Sequence, residues 1–315
     1  MNNSRKEIYR KQVVLLLRVL PDIARHQEFA LKGGTAINLF LQPLPRLSVD
    51  IDLVYLPITD RKKALEHMNE ILRQVGTRLA RGGLVSQIKL TAGIPKLFVE
   101  TKEATIKVEP NGLLRGSVFP VTQMSTQDIV KSSFGFGANM PLLDPLEIYA
   151  GKICAALDRQ HPRDIFDIMK LFEILDPKEI PSLRSLFCVY MAMHDRPMDE
   201  LLAPKLQSSF DATFEEHFSG MTDDSDLKAK DLREVFAKLL KSQILKLTEG
   251  EKKFIKDIQS GIVDPAGLQL AESEKAVIPN LPGIKWRIMN VKKLEKDNPR
   301  KFKAEVKRLS EFLEI

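Results

Sequence analysis

The chain has 315 residues, 43% of them apolar and 29% charged, which suits one large or two ordinary soluble domains with an extensive core. Forty-eight basic against 42 acidic residues leave a net charge of +6, enough to permit a phosphate-bearing partner without requiring one. Two cysteines, Cys154 and Cys188, exclude a disulfide framework and a four-ligand zinc site.

From the N-terminus, residues 5–30 have the apolar spacing of a helix, with Ile8, Leu15, Leu16, Val19, Leu20 and Ile23 recurring at helical intervals. The stretch Val13 to Leu20 is interrupted by Arg18 and falls far short of the roughly 20 residues a membrane span needs. It has no small-residue cleavage site, so the expectation is a cytoplasmic protein without a membrane partner. Gly33 and Gly34 then precede a short apolar run to Leu41. Pro43 and Pro45 break that run before a β-rich segment, Arg46 to Tyr55. A helix capped by Thr59 or Asp60 is expected to run to about Leu79, closed by Gly82 and Gly83. Two strand-like runs, Lys96 to Thr101 and Ala104 to Glu109, suggest a hairpin, and a further strand is expected around Ser117 to Thr122. Asp144-Pro145 is a helix start, with helices expected to about Asp158 and from Pro162 to about Leu175. The segment Asp176 to Pro181 marks a boundary. Beyond it helical periodicity dominates, as in Leu227 to Leu245 and Glu251 to Ile258. The expected division is a catalytic half, 1–175, and a mostly helical half, 176–315.

Asp50 and Asp52 carry the chemical argument. Two apart in a strand, their carboxylates project from one face while Ile51 and Leu53 point into a core. Paired carboxylates repel unless a cation joins them, and Mg²⁺ is commonly held by one or two carboxylates plus substrate phosphates. A solvent-facing D-x-D on an edge strand is the other reading. Gly33 and Gly34 allow close approach of the backbone to a ligand and Thr35 adds a hydroxyl; a helix starting there would offer its free N–H groups to phosphate. A simple turn is the alternative. Glu109 is a candidate third carboxylate for the metal, or a surface glutamate paired with a lysine. Lys152, set among Ile148, Tyr149, Ile153, Cys154 and Ala156, is a candidate phosphate cation, with Arg159 on a similar face. Asp164 and Asp167 follow Pro162, where helix-dipole and i,i+4 pairing with Arg163 explain them equally well. Five scattered histidines form no zinc-binding spacing, and there is no P-loop, dinucleotide fingerprint or nucleophile elbow.

Gly33-Gly34-Thr35-Ala36, Arg46-x-Ser48-x-Asp50-Ile51-Asp52-Leu53, Lys152 and Arg163-Asp164-x-Phe166-Asp167 together resemble the AbiEii/AbiGii toxin family, nucleotidyltransferase-like proteins of bacterial abortive-infection and toxin–antitoxin systems. The resemblance implies an α+β fold, with a DNA polymerase β-like core built on a mixed sheet and a mostly helical C-terminal domain. It implies Asp50 and Asp52 holding Mg²⁺ or Mn²⁺, with Glu109 as the least secure ligand. Gly33, Gly34, Thr35, Arg46, Ser48 and Lys152 would bind the NTP, and Ser48 is also a self-modification candidate. The family's later acidic residue maps onto Asp164, with Asp167 close behind. A cognate antitoxin, and an acceptor such as the tRNA 3′ end, come with the family. Two other readings remain: a catalytically silent RNA- or protein-binding module, and the same fold modifying a small molecule or a protein hydroxyl. The former is motivated by Leu281 to Ile315, whose ten Lys/Arg against five acids carry +5.

Overall fold

The computed structural model describes residues 2–91, 93–205 and 207–314. In chain order the elements are α1 (Asn2–Ile23), β1 (Phe29–Lys32), α2 (Gly33–Thr35, continued by a π-helical stretch, Ala36–Leu41), β2 (Asp50–Tyr55) and α3 (Arg61–Arg81). β3 (Val85–Thr91), β4 (Ile94–Glu100), β5 (Thr105–Pro110), β6 (Thr122–Ser125), α4 (Asp128–Phe134) and β7 (Asn139–Leu142) complete the sheet region. Only helices follow among the described residues: α5 (Pro145–Arg159), α6 (Pro162–Ile174), α7 (Ile180–Ala192), α8 (Met198–Leu202), α9 (Phe210–His217), α10 (Ala229–Leu240), α11 (Glu249–Gln259), α12 (Glu272–Val277), α13 (Pro282–Asp297) and α14 (Pro299–Leu313). The fold is α+β, as expected.

Internal contacts divide the chain into two compact units: Met1–Ile148 with Asp211–Leu227, and Tyr149–Phe210 with Lys228–Ile315. This partition is drawn differently from the sequence division at 175/176, because α6 packs on α10 and belongs with the later helices.

The first unit holds a seven-stranded mixed sheet of order β3-β4-β5-β2-β1-β7-β6. β2 runs antiparallel to β1 and parallel to β5, and β1 runs parallel to β7. α1 and α3 pack on the sheet through Val13, Leu16, Leu17 and Leu20, and through Met68, Leu72 and Val75, all fully buried. Asp60 caps α3 by accepting the Lys63 N–H at 3.0 Å.

Several expected elements differ. The helix expected over 5–30 ends at Ile23, and Phe29-Ala30-Leu31-Lys32 is a central strand with its three apolar residues fully buried. A strand buried on both faces has no alternation, so its apolar run reads like buried helix. Residues 46–49 precede β2 without pairing in the sheet, and Leu47 N–H is taken by the Met221 carbonyl at 2.6 Å. Instead of a strand from Ser117, Val118 and Phe119 donate their N–H groups to the Glu147 carboxylate at 2.9 and 3.0 Å, and β6 starts only at Thr122. β3, α4 and β7 are additions.

The second unit is a helical assembly in which α7 packs on α11 and α13, and α13 on α14. Glu251 of α11 is fully buried and satisfied by Arg184 Nε at 2.6 Å, Ser185 Oγ at 2.9 Å and the Thr248 N–H at 2.8 Å.

Candidate active site

β2 presents its carboxylates as its period of two requires. Asp50 and Asp52 are half-buried on one face, while Ile51 and Leu53 are fully buried on the other. The parallel register sets Asp50 beside Lys107 and Asp52 beside Glu109 of β5; on the other side Lys32 of β1 pairs with Asp52.

The glycine pair sits directly after β1, where the chain turns into α2. Gly33 has φ +72°, a left-handed conformation that costs any residue bearing a Cβ. A Cβ built on Gly33 would lie 2.5 Å from Asp52 Oδ2, and one on Gly34 would lie 2.7 Å from an Arg46 terminal nitrogen and 3.0 Å from Ser48 Oγ. The two missing side chains thus seat the N-terminus of the helix against Asp52 on one side and Arg46 and Ser48 on the other. Thr35 locks this arrangement. It is fully buried, donates its hydroxyl to the Asp50 carbonyl at 2.5 Å, and lies 3.0 Å from Ser48 Oγ. Asn38 one turn on donates to the Gly34 carbonyl at 2.9 Å. Arg46 and Ser48 are themselves buried, and Arg46 bonds the Leu47 carbonyl at 3.0 Å.

Glu109 is brought next to Asp52, but its carboxylate is engaged by Lys96 of β4 and by Lys107 at 2.5 Å. Burial works against its ionised form, yet the hydrogen bonds and charges of Lys107 and Lys96 outweigh it and hold the carboxyl below its ordinary value. Lys107 answers in kind: burial opposes its charge, and Glu109, Asp50 and Asp52 raise it above an ordinary lysine. The same-face pair Asp50 and Asp52, approachable beside a glycine, fits an oxygen-seeking divalent cation whose remaining ligands come from substrate phosphates. Among the described residues no three His, Cys, Asp or Glu side chains form an all-protein metal site.

Lys152, Asp164 and Asp167 are brought together in the helical unit. Lys152 of α5 is 7% exposed, and its Nζ lies 2.8 Å from Asp164 Oδ1 and 3.0 Å from Asp167 Oδ2 of α6. Arg159 adds a second cation, its Nε 2.6 Å from Asp164 Oδ2. Burial disfavours the Asp164 carboxylate, but Lys152 and Arg159 dominate and hold it ionised far below the usual carboxylate range. Both acids that sequence left as alternatives therefore grip one ammonium. Helix α6 starts at Pro162 as expected, and the structure adds a cap, His161 accepting the Arg163 N–H at 3.2 Å.

Sequence reasoning missed two contributors. Lys96 comes to Glu109 only through sheet pairing, which nothing in the local pattern announces, whereas Lys107, two residues before Glu109 on β5, is the lysine partner that the alternation offers. Glu147 anchors the 118–119 backbone from the first turn of α5; an acid amid apolar residues after Asp-Pro was its one signal. Cys154 and Cys188 are buried, and burial pushes both thiols up, so neither is a ready nucleophile.

The described helices include none long and apolar enough to cross a membrane. No curated protein matches the sequence. The chain is similar in structure to MenT4, a nucleotidyltransferase toxin from Mycobacterium tuberculosis H37Rv, with TM-score 0.60 and 17% identity, over 89% of this chain and 93% of that one. Residues 14–249 match the family model described as nucleotidyl transferase AbiEii toxin, type IV toxin–antitoxin system. The glycine turn, the Asp50–Asp52 strand and the Lys152–Asp164 pair all fall inside that match, and the chain belongs to the AbiEii nucleotidyltransferase toxins of type IV toxin–antitoxin systems.

Proposed function

We propose that this toxin transfers a nucleoside monophosphate from an NTP to an acceptor hydroxyl, with the tRNA 3′ end as acceptor and the cytoplasm as its place of action. The observation that carries the reading is the close seating of Gly33 and Gly34 against Asp52, Arg46 and Ser48. Asp50 and Asp52 are the proposed ligands of Mg²⁺ or Mn²⁺, which when bound neutralises phosphate charge and polarises the reacting phosphoryl oxygens. The N–H groups at the start of α2 receive phosphate oxygens, since a helix N-terminus carries unpaired donors and partial positive charge. Arg46 and Ser48 stand behind that turn, and the buried hydroxyl of Thr35 holds it to β2 rather than touching the nucleotide. Glu109, tied to Lys96 and Lys107, sets the charge beside Asp52 and is a metal ligand only if those lysines release it. Lys152 is the proposed phosphate cation of the helical unit, with Asp164 and Asp167 fixing its ammonium.

In the reaction the acceptor oxygen forms a bond to the α-phosphorus and gives up its proton. The bond from that phosphorus to the bridging oxygen breaks, and pyrophosphate leaves. Catalysis is then positioning and electrostatics rather than covalent chemistry by a side chain. Family membership supports an antitoxin as natural opponent.

The test incubates purified protein with each α-labelled NTP and total RNA. The expected result is label in a ribonuclease-sensitive product, abolished by EDTA and restored by Mg²⁺ or Mn²⁺. Label on protein, or equal transfer by Asp52→Ala, overturns the reading.

A further inference from the structure

Beyond the carboxylate pair the same face of the sheet, half-buried at β5 and β4 and exposed at β3, carries a second pattern. The register continues the Asp50–Lys107 pair to Phe98 of β4 and Gln87 of β3. Asp52 and Glu109 are continued by Lys96, which is bonded to Glu109, and Lys96 pairs with Lys89 of β3. Two adjacent cross-strand rows therefore run outward from the aspartates to the sheet edge, carrying Lys107, Lys96 and Lys89 around the one aromatic ring, Phe98. Opposite faces of the same strands are spent on the core: Leu97 and Val99 of β4, and Ile106 and Val108 of β5, are buried. Phe98, a large apolar residue, instead sits half-buried on the outer face, where Lys89 Nζ stands 5.0 Å from its ring centroid. A hydrophobic ring placed outward and ringed by cations has no role in the core.

We infer that this face, β5-β4-β3, is the track along which a single-stranded polynucleotide acceptor reaches the Asp50–Asp52 site, its bases stacking on Phe98 and its phosphates lying against Lys89 and Lys96. The inference rests on the nucleotidyltransferase reading and names the surface that holds its acceptor. The charge is graded along the rows: Lys96 and Lys107 share Glu109 beside the aspartates at the reacting end, while Lys89 stands at the exposed edge as the cation for the incoming phosphates. The aromatic ring adds what an acidic peptide surface does not require, since every base offers a π-face. Two strand spacings of about 4.8 Å separate β2 from β4, so Phe98 lies within a few stacked nucleotides of the carboxylates. Lys89, exposed on the edge strand, moves off the ring to a phosphate when a base arrives, because its flexible stem tolerates the change.

The experiment measures binding of a fluorescein-labelled single-stranded RNA octamer to the full chain by anisotropy, with pyrophosphate release from NTP followed separately. Phe98→Ala is expected to weaken RNA binding about five- to a hundred-fold, and Phe98→Trp to restore it. Lys89→Ser, on the exposed edge where folding is not at stake, is expected to reduce the salt dependence of log Kd by about 0.7. RNA affinity and salt slope unchanged in both Phe98→Ala and Lys89→Ser overturn the inference, and so does a polyglutamate competitor as effective as unlabelled RNA. Pyrophosphate release by the wild type with such indifferent RNA binding leaves the nucleotidyltransferase reading standing while the track falls. Phe98-dependent RNA binding without any pyrophosphate release does the reverse.

Discussion

At Gly33 the backbone must adopt φ +72° and must also leave room for Asp52 Oδ2, which a Cβ would approach to 2.5 Å. Gly33→Ala therefore strains the turn and displaces the carboxylate together. Urea denaturation is expected to show a loss of about 1–2 kcal/mol, and transfer activity is expected to fall to background. Asp52→Asn separates chemistry from folding. Losing one charge of the pair leaves the buried strand intact, so transfer should drop on the order of 10²–10³-fold with the circular dichroism spectrum unchanged. The facing of Asp50 and Asp52 was legible in sequence, because alternation along a strand is a local property. The same local alternation offered a lysine partner for Glu109, which Lys107 is, but Lys96 was not legible, since β4 meets β5 only by sheet register. Thr35 shows the same limit from the other side: a hydroxyl after two glycines reads as a ligand contact, and the fold uses it to bond the Asp50 carbonyl.

Between α5 and α6 an ion cluster of Lys152, Arg159, Asp164 and Asp167 takes the place of apolar packing. Lys152→Met removes the cation that both buried carboxylates share, leaving Arg159 on Asp164, and is expected to cost about 3–5 kcal/mol, measured by urea titration. The pH dependence follows from Asp164, whose folded pKa is depressed: the unfolded chain binds this proton more readily than the folded one. Its contribution is fully present above the unfolded carboxyl value of about 3.9 and is lost as pH falls below it. Wild-type stability should accordingly drop more steeply between pH 5 and pH 3 than that of Asp164→Asn; parallel curves would contradict the assignment. The helix starts here were legible because Asp144-Pro145 and a proline at position 162 are local signals. The cluster was only half so, as spacing placed Lys152 and Arg159 on related faces without revealing that both reach Asp164. A different close contact governs α11, where Gly250 and Gly267 touch backbone to backbone, and a Cβ on Gly250 would meet the Gly267 carbonyl oxygen at 2.5 Å. Gly250→Ala should lower the melting temperature, a change visible by differential scanning fluorimetry.

Across the whole molecule the net charge of +6 resolves into placed groups. Leu281 to Ile315 supplies +5 of it, yet part of that charge is structural. Arg287 is directed at the carbonyls of Ala192, His194 and Arg196, at and just beyond the end of α7, and Arg308 pairs with Asp199 at 2.9 Å. Lys301 and Lys307 face Glu305 and Glu311 one helical turn away. The basic tail thus reads first as two amphipathic helices completing the helical unit, with α13 on α7 and α14 on α11. The α+β class and the order of motifs could be read from sequence because each motif is short and contiguous. Strand order could not, since β1 lies between β2 and β7 and the segment Asp211–Leu227 returns to the first unit far from its neighbours in sequence. The central claim is that a nucleoside monophosphate, not a terminal phosphate, is transferred under the control of Asp50 and Asp52. It is tested most directly by parallel incubations of the wild type and Asp52→Asn with total RNA and either α- or γ-labelled NTP. The account expects α-label in RNA and γ-label in pyrophosphate with the wild type, and neither with Asp52→Asn. γ-Label in the acceptor, or α-label transfer undiminished by Asp52→Asn, would contradict it.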